Sequence, residues 1–195
     1  ADILFCKGNV VPVGKDQLPH LELTRKIARR FNERFAPVFP EPQALMSEAP
    51  MILGLDGGQK MSKSRGNTIP LKASAEDTAK LIKGAKTDAN RQITWDPASR
   101  PEVANLLKLL ALCSSQSPEV LAQEIGDGGG GKLKNRLTEA MNAYLSPIRE
   151  RRKQLEQNMD YVRDLLKRGN SHANQMAEIT LTEVRKAMKM VYYKE

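Results

Sequence analysis

Apolar residues recur at every third or fourth position through most of the chain, and this spacing is typical of one face of a helix. Over residues 16–35 it predicts a helix that Asp16 caps, with Pro19 in the first turn, where proline is tolerated. The predicted apolar stripe of this helix consists of Leu21, Leu23, Ile27, Ala28, Phe31 and Phe35. A short β-branched run, residues 9–13, precedes it and ends at Gly14. Strand, glycine turn and helix together indicate one step of an α/β unit.

The next segments continue this α/β pattern. A proline-rich stretch, residues 37–50, is predicted to be a loop. The apolar run from Met51 to Leu55 suits a buried parallel strand. A loop rich in glycine and lysine then extends from Asp56 to Asn67.

From Ser74 onward the pattern is helical throughout. Ser74 and Asp77 form a plausible N-terminal box. Three helices are predicted first: one from Ser74 to about Lys86, one over residues 101–114, and one that begins at Ser117. A longer helix over residues 132–157 is predicted to be kinked or restarted near Pro147. A short helix that ends at Gly169 and a last helix capped by Ser171 follow. The last helix has an apolar face of Ala173, Met176, Thr180, Val184, Ala187 and Val191. The sequence therefore predicts an α/β plus all-α chain, mostly helical with few short parallel strands, in which half of an α/β domain gives way near Ser74 to a helical bundle.

Composition and charge narrow the class of protein only a little. The net charge of +8 is shared evenly: 11 basic and 7 acidic residues precede Ser74, and 20 and 16 follow from there on. Such an even excess is usually a solvated surface, and it is also compatible with RNA binding. Two cysteines, Cys6 and Cys113, cannot form a disulfide framework, so a reducing, cytoplasmic setting is expected. No apolar stretch is long enough to cross a bilayer, and the start at Ala1 without methionine predicts a fragment.

One short motif carries chemistry. Residues 60–64 read KMSKS and lie between Gly57, Gly58 and Gly66, which let a loop change shape. Two lysines on such a loop can stabilise the charge that accumulates on pyrophosphate when a carboxylate attacks the α-phosphate of ATP. A solvated basic loop is the alternative interpretation, and the predicted strand in front of the loop argues against it.

KMSKS resembles the signature loop of the class I aminoacyl-tRNA synthetases. The blocks ADIL (1–4), VPVGKDQ (11–17), HLELTR (20–25) and RFN (30–32) resemble, in this order, the tryptophanyl branch of that family. The resemblance implies that residues 1–74 are the C-terminal half of a Rossmann-type ATP- and tryptophan-binding domain. It implies that residues 75–195 are a helical anticodon- or tRNA-binding domain.

The resemblance also implies roles for particular residues. Lys60 and Lys63 would be catalytic, and Asp2 would accept a hydrogen bond from the indole N–H of tryptophan. The ATP-binding set would be Gly14, Lys15, Asp16, Gln17, Met51, Lys60, Met61, Ser62, Lys63 and Ser64. The family usually has glutamate where this chain has Lys15, which leaves a backbone contact at that position. Met51 would line the adenine pocket.

Other motifs have simpler interpretations. Asp16 could be only a helix cap, His20 is expected to be structural, and His172 is expected to belong to a helix start. No metal-ligand cluster stands out. Residues 126–132 read G-x-x-x-x-G-K, but Leu133 replaces the hydroxyl that a P-loop needs and no strand precedes them, so a flexible interhelical loop is predicted.

The helical half contains the densest basic cluster, Arg149, Arg151, Arg152 and Lys153, next to Ser146-Pro147-Ile148. These side chains could contact tRNA phosphates or could form a solvated helix face. The family resemblance extends through this half on weaker motifs than KMSKS.

Together these observations predict an ATP-dependent ligase that joins L-tryptophan to tRNA(Trp). The resemblance implies Mg²⁺ bound with ATP, a homodimer in the full-length protein, and an upstream HIGH-type motif that this chain lacks, so the chain by itself is expected to be inactive. A tyrosyl-type class I synthetase and a non-catalytic RNA-binding paralogue are the alternatives.

Overall fold

The computed structural model describes residues 2–46 and 51–191 and divides into two compact units. The first, here called the sheet unit, comprises Ala1–Pro50 and Asn158–Glu195. The second, the helical unit, comprises Met51–Gln157. The domain boundary near Ser74 stays a prediction.

The sheet unit is built on one β-α-β step. Strand β1 (Val10–Pro12) leads through a 3₁₀ turn (Lys15–Gln17) into helix α1 (Leu18–Arg34), and β2 (Gln43–Leu45) returns parallel to β1. The register pairs Val10 with Gln43 and Pro12 with Leu45. Because parallel neighbours need a crossover, α1 is the connection that this pairing requires.

The rest of the sheet unit comes from the two ends of its sequence. Helix α6 (Met159–Ala187) is long and amphipathic, and the Oγ1 of Thr180 donates to the carbonyl of Phe5 at 2.7 Å. Lys7 forms an ion pair with Glu183. These contacts tie the N-terminal turn of the chain to α6.

The helical unit has an extensive hydrophobic core. It contains helices α2 (Ala75–Gly84), α3 (Pro101–Ser114), α4 (Pro118–Ile125) and α5 (Gly129–Glu156), and α5 packs against the other three. The largest fully buried side chains on these helices are Ile82, Leu106, Leu107, Leu110, Leu121, Ile125, Leu133, Leu137 and Leu145.

Several predicted elements are confirmed. A strand falls within residues 9–13, α1 contains Pro19 in its first turn, and α3 has the predicted bounds. The side chains of Ser74 and Ser117 cap α2 and α4 by accepting N–H bonds from Asp77 and Val120. The predicted class, a partial α/β fold followed by helices, is confirmed.

Other predictions about the first 55 residues are wrong. Asp16 lies inside the 3₁₀ turn and does not cap α1, because Gly14 and Gln17 occupy the two cap positions. Residues 43–45, predicted to be loop, form β2; residues 47–50 of that predicted loop lie outside the described part. The run from Met51 to Leu55 is not a parallel strand and contributes only an antiparallel bridge between Leu53 and Lys60.

The remaining differences concern helix breaks that do not occur. Helix α5 continues through Pro147, so it does not restart there, and the kink stays a prediction. Helix α6 continues through Gly169 and Ser171, so Ser171 is not a cap and His172 lies within a helix. The glycine tract forms a 3₁₀ turn followed by the first turn of α5 instead of a loop. Single glycines cost a helix only about 1 kcal/mol, which the rest of a long helix can offset.

Within the described ranges, none of the helices combines the length and the apolar content that crossing a membrane requires.

Candidate functional site

The KMSKS loop lies in the helical unit on a buried support. Gly54 and Leu55 in front of the loop are buried, as is Asn67 behind it. The N–H of Gly54 donates to the carbonyl of Gln59 at 2.7 Å, and the N–H of Met61 donates to the carbonyl of Ile52 at 3.0 Å. The loop is therefore attached to the preceding segment as an antiparallel turn.

The functional groups of the loop point outward from this support. Lys60, Lys63 and Ser64 are exposed, whereas Met61 and Ser62 are half-buried. The hydroxyls of Ser62 and Ser64 lie 2.8 Å apart. Residues Lys63–Arg65 form a 3₁₀ turn that ends at Gly66, whose φ of 67° lies in the left-handed region that favours glycine. Two ammonium groups and two hydroxyls on one exposed turn are suited to binding phosphate oxygens.

The segment in front of the loop is held by helix α3. The side chain of Asn105 accepts the N–H of Leu53 and donates to the carbonyl of the same residue, both at 3.0 Å. Lys108 donates to the carbonyl of Met51 at 3.3 Å. An asparagine pairing with both backbone groups of one residue acts as a neighbouring strand would, so α3 fixes the start of the loop.

Met51 has a different neighbourhood from the lysines. Its side chain is exposed and lines a pocket of about 170 Å³ together with Trp95, Pro101 and Lys108. A second cavity of about 600 Å³ is lined by Met61, Lys63, Thr68 and Leu71 among others. The adenine contact of Met51 stays a prediction.

The other predicted ATP-binding residues lie in the sheet unit. Gly14 follows β1 and starts the 3₁₀ turn that contains Lys15, Asp16 and Gln17, all three exposed. The Nε2 of Gln17 donates to Asp16 Oδ2 at 2.9 Å. In α/β sheets, ligands bind beyond the carboxyl ends of the strands, which is where this turn lies.

Asp2 belongs to the same unit and is exposed in the N-terminal turn. Its carbonyl accepts the Cys6 thiol at 3.6 Å. Ala1, the first letter of the ADIL block, lies outside the described residues. The indole contact of Asp2 stays a prediction.

The basic cluster on α5 separates into two kinds of residue. Arg149 is half-buried and donates to Thr78 Oγ1 at 2.8 Å and to Asn142 Oδ1 at 2.9 Å, so it connects α5 with α2. The other three, Arg151, Arg152 and Lys153, are exposed. Arg152 pairs with Glu156 at 2.6 Å and Lys153 pairs with Glu150 at 3.1 Å. These acidic neighbours reduce the positive potential that the cluster presents.

An arginine also organises the loop that precedes α3. The guanidinium of Arg100 bonds both carboxylate oxygens of Asp88, at 2.6 and 2.7 Å, and the carbonyl of Gln92 at 2.6 Å. The hydrogen bonds from Arg100 hold the pKa of Asp88 below its ordinary value. Arg100 thereby stabilises the loop from which α3 begins.

Sequence reasoning missed the buried polar residues that support the loop. Asn67 and Asn105 are 7% and 5% exposed. A signal for Asn105 was present, because a polar side chain among the leucines of an apolar helix must find partners. In the described ranges no three His, Cys, Asp or Glu side chains are grouped so that they could hold a metal ion.

Comparisons with known proteins agree with the motif. The profile of the class I tRNA synthetases (W and Y) matches residues 1–146. The chain is 40% identical to a tryptophan–tRNA ligase of Aquifex aeolicus, over 97% of this chain and 49% of that protein. It is 39% identical to the same-named protein of Gloeobacter violaceus, over 98% of this chain and 58% of that protein. The chain thus spans about half the length of these relatives.

Solved structures show the same similarity. A tryptophanyl-tRNA synthetase from Mycoplasma pneumoniae superposes with a TM-score of 0.81 at 29% identity, covering 96% of this chain and 59% of that one. The enzyme from Campylobacter jejuni, described as complexed with ADP and tryptophan, gives 0.71 at 30% identity over the same shares. A tyrosyl-tRNA synthetase from Aeropyrum pernix gives 0.58 at 21% identity, covering 93% of this chain and 50% of that one, which shows the fold alone.

Proposed function

The chain belongs to the class I tRNA synthetases of the tryptophan and tyrosine group, and we propose that its full-length protein is a tryptophan–tRNA ligase. The observation that carries the proposal is the KMSKS loop, with two exposed lysines above a buried support. Relatives named tryptophan–tRNA ligase, about 40% identical over nearly the whole chain, favour tryptophan over tyrosine as the substrate.

The reaction would have two steps. A carboxylate oxygen of tryptophan attacks the α-phosphorus of ATP, the bond to the bridging oxygen breaks, and pyrophosphate leaves. A ribose hydroxyl of the tRNA 3′ end then attacks the aminoacyl carbonyl and AMP leaves. Lys60 and Lys63 would stabilise the charge on the pyrophosphate as it separates, with Ser62 and Ser64 as further donors.

The sheet unit would supply the other contacts. Gly14, Lys15, Asp16 and Gln17 would meet ATP, and Asp2 would select indole, because an unpaired carboxylate penalises a ring without an N–H group. The Campylobacter jejuni complex with ADP and tryptophan supports nucleotide and tryptophan binding in this fold.

The proposal includes Mg²⁺ only as an ion that arrives with ATP. The exposed groups of the loop are cations and hydroxyls, which suit phosphate oxygens and not a metal ion. The homodimer, the cytoplasmic location and the binding of tRNA(Trp) by residues 75–195, with Arg149, Arg151, Arg152 and Lys153 as candidates, stay predictions.

ATP–pyrophosphate exchange with the full-length protein tests this proposal, with tryptophan and tyrosine offered separately. We expect exchange with tryptophan only, and a loss of about 100-fold or more in Lys63→Ala, because a positioned charge at a developing anion typically contributes that much. Lys80→Ala is the matched control, since Lys80 is an exposed lysine on α2.

Each other outcome has a definite meaning. Exchange with tyrosine would replace tryptophan by tyrosine as the substrate. Exchange with neither amino acid would contradict the ligase and favour a non-catalytic RNA-binding paralogue.

A further inference from the structure

Asn67 connects three separate parts of the KMSKS loop through one side chain. Its Oδ1 accepts the N–H of Ser62 at 2.9 Å. Its Nδ2 lies 3.2 and 3.1 Å from the two carboxylate oxygens of Asp56, and 3.5 Å from the carbonyl of Lys60. Its own carbonyl accepts the N–H of Leu55 at 3.0 Å. Asn67 therefore contacts Asp56 at the start of the loop, the backbone of Lys60 and Ser62 in its centre, and Leu55 in its support.

The space around this side chain is enclosed by Gly54. A Cβ atom at position 54 would lie 2.0 Å from the Nδ2 of Asn67 and 2.6 Å from the Oδ1 of Asp56. Contacts this short do not occur in proteins, so any larger residue at position 54 must displace the amide. Asn67 as a whole is 7% exposed, so its amide is held by packing as well as by hydrogen bonds.

The chemistry of the pocket requires an amide. One atom must accept from Ser62 and the other must donate to Asp56, on a side chain short enough to reach both. Aspartate at position 67 would lose the donor and place a second carboxylate beside Asp56. A leucine of similar shape would leave the N–H of Ser62 without its acceptor and would take the amide donor away from Asp56.

The held atoms lie beside the two lysines. The carbonyl that Asn67 approaches belongs to Lys60, and the N–H that it accepts belongs to the residue before Lys63. Asn105 also fixes Leu53, which bridges to Lys60. The backbone beside the two lysines is therefore held by two amide side chains, directly by Asn67 and through Leu53 by Asn105.

We propose that Asn67, paired with Asp56, is a positioning residue that holds the KMSKS loop in the conformation from which Lys60 and Lys63 reach the phosphates. This inference rests on the proposed ligase function for its kinetic consequence. The geometric part, the amide–carboxylate pair that orders the loop, is independent of that function. Preorganisation of this kind lowers the cost of arranging charges around a transition state.

Swapping the residues at positions 56 and 67 tests the pairing of Asn67 with Asp56 in the full-length protein. In Asn67→Asp, we expect kcat for tryptophan-dependent pyrophosphate exchange to fall about 10- to 100-fold, the effect of an unmatched buried polar group. Asp56→Asn should stay within about threefold of the parent, since an amide oxygen still accepts from Asn67. The double variant again pairs an amide donor, now at position 56, with a carboxylate acceptor at position 67. Its kcat should recover to within about fivefold of the parent value.

The split between kinetic constants separates positioning from a general loss of structure. We expect the KM for tryptophan to change less than about twofold in Asn67→Asp, because the proposed tryptophan contact is elsewhere. A double variant no more active than Asn67→Asp, or a fully active Asn67→Asp, would overturn the proposal.

Amide hydrogen exchange gives a test that does not need activity. In Asn67→Asp the peptide containing Ser62 should exchange about tenfold faster, because the Asp56 partner that holds side chain 67 in place is lost. Gly54→Ala should have the same effect by displacing the amide. Gly84→Ala is the control, since a Cβ there would meet nothing within 4 Å beyond its chain neighbours and its own helix backbone.

The two tests fail independently. If the parent shows no pyrophosphate exchange but Asn67→Asp and Gly54→Ala still loosen the loop, the proposed function is wrong and the role of Asn67 in the loop stands. If the parent is active and neither variant changes amide exchange at Ser62, the role of Asn67 is wrong and the ligase function stands.

Discussion

The helical unit and the sheet unit bury their apolar side chains to different extents. In the helical unit Leu107, Leu133 and Leu137 are all 0% exposed, and four helices surround them. In the sheet unit Leu23, Ile27 and Leu45 are 56%, 50% and 57% exposed. Two strands alone are marginally stable in water, and the described part of this unit forms only one such pair.

The predicted site residues are distributed over these two different units. The KMSKS loop is attached to a unit with a hydrophobic core of its own, so its conformation can be set by buried residues such as Asn67. The predicted contacts for tryptophan and for part of ATP lie on a unit whose apolar faces are largely exposed in this chain. We therefore expect the loop to be better ordered than the predicted contact residues of the sheet unit in the 195-residue chain.

The largest expected effect that tests this comparison comes from truncating one leucine. Leu107→Ala should lower the free energy of unfolding by about 2–5 kcal/mol, because it creates a cavity in the core. Ile27→Ala, in the half-exposed stripe of α1, should cost less than about 1 kcal/mol. Urea unfolding of the 195-residue chain followed by circular dichroism measures both, and Trp95 fluorescence reports on the helical unit.

An equal cost for the two substitutions would break the comparison. It would mean that the face of α1 is covered in solution, for example by a second copy of the chain.

A smaller effect is expected at the helix caps. Ser74 Oγ accepts the N–H of Asp77 at 2.9 Å, so Ser74→Ala should destabilise the helical unit by about 1 kcal/mol. Ser171 lies within α6, where the same substitution should stay within about 0.5 kcal/mol. Thermal unfolding of both variants tests the continuity of α6. A cost at Ser171 equal to that at Ser74 would indicate a helix start there.

The smallest expected effect is the loss of stability at acidic pH. Hydrogen bonds from Arg100 and from Arg29 lower the pKa of Asp88 and of Glu41 below their ordinary values. Each pair therefore stabilises the fold above the ordinary pKa of its carboxyl, and the stabilisation is lost as the pH falls through the lowered value.

The two ion pairs differ in solvent exposure, and this difference predicts which pair contributes more to the stability of the fold. The side chain of Arg100 is 11% exposed and that of Arg29 is 47% exposed, so solvent screens the second pair more strongly. Between pH 7 and pH 3, Tm should fall less in Asp88→Asn than in the parent, whereas Glu41→Gln should change this fall very little. Circular dichroism at constant ionic strength measures both, and a larger effect of Glu41→Gln would contradict the comparison.

Much of the fold was predictable because it depends on local rules. Ser74 and Ser117 begin helices through hydrogen bonds within one turn, and Pro101 and Pro118 occupy first positions where a missing N–H has no cost. Strand β2 was missed because residues 43–45 follow a proline-rich stretch and are strand only through pairing with β1. Gly169 was wrongly predicted to end a helix and Ser171 to begin the next one, since propensity is a weak signal inside a long helix.

The sequence by itself determined the family, and it predicted the chemistry of the loop and the role of its two lysines, because a five-residue motif states side-chain types directly. Only the tertiary structure decided what holds that loop. Asn105 faces Leu53 because folding brings together residues 52 positions apart. Asn67 is buried because the loop turns back on Asp56 and Gly54. No periodicity in the sequence records either meeting. The burial of a polar side chain is a property of its surroundings, and those exist only once the chain has folded.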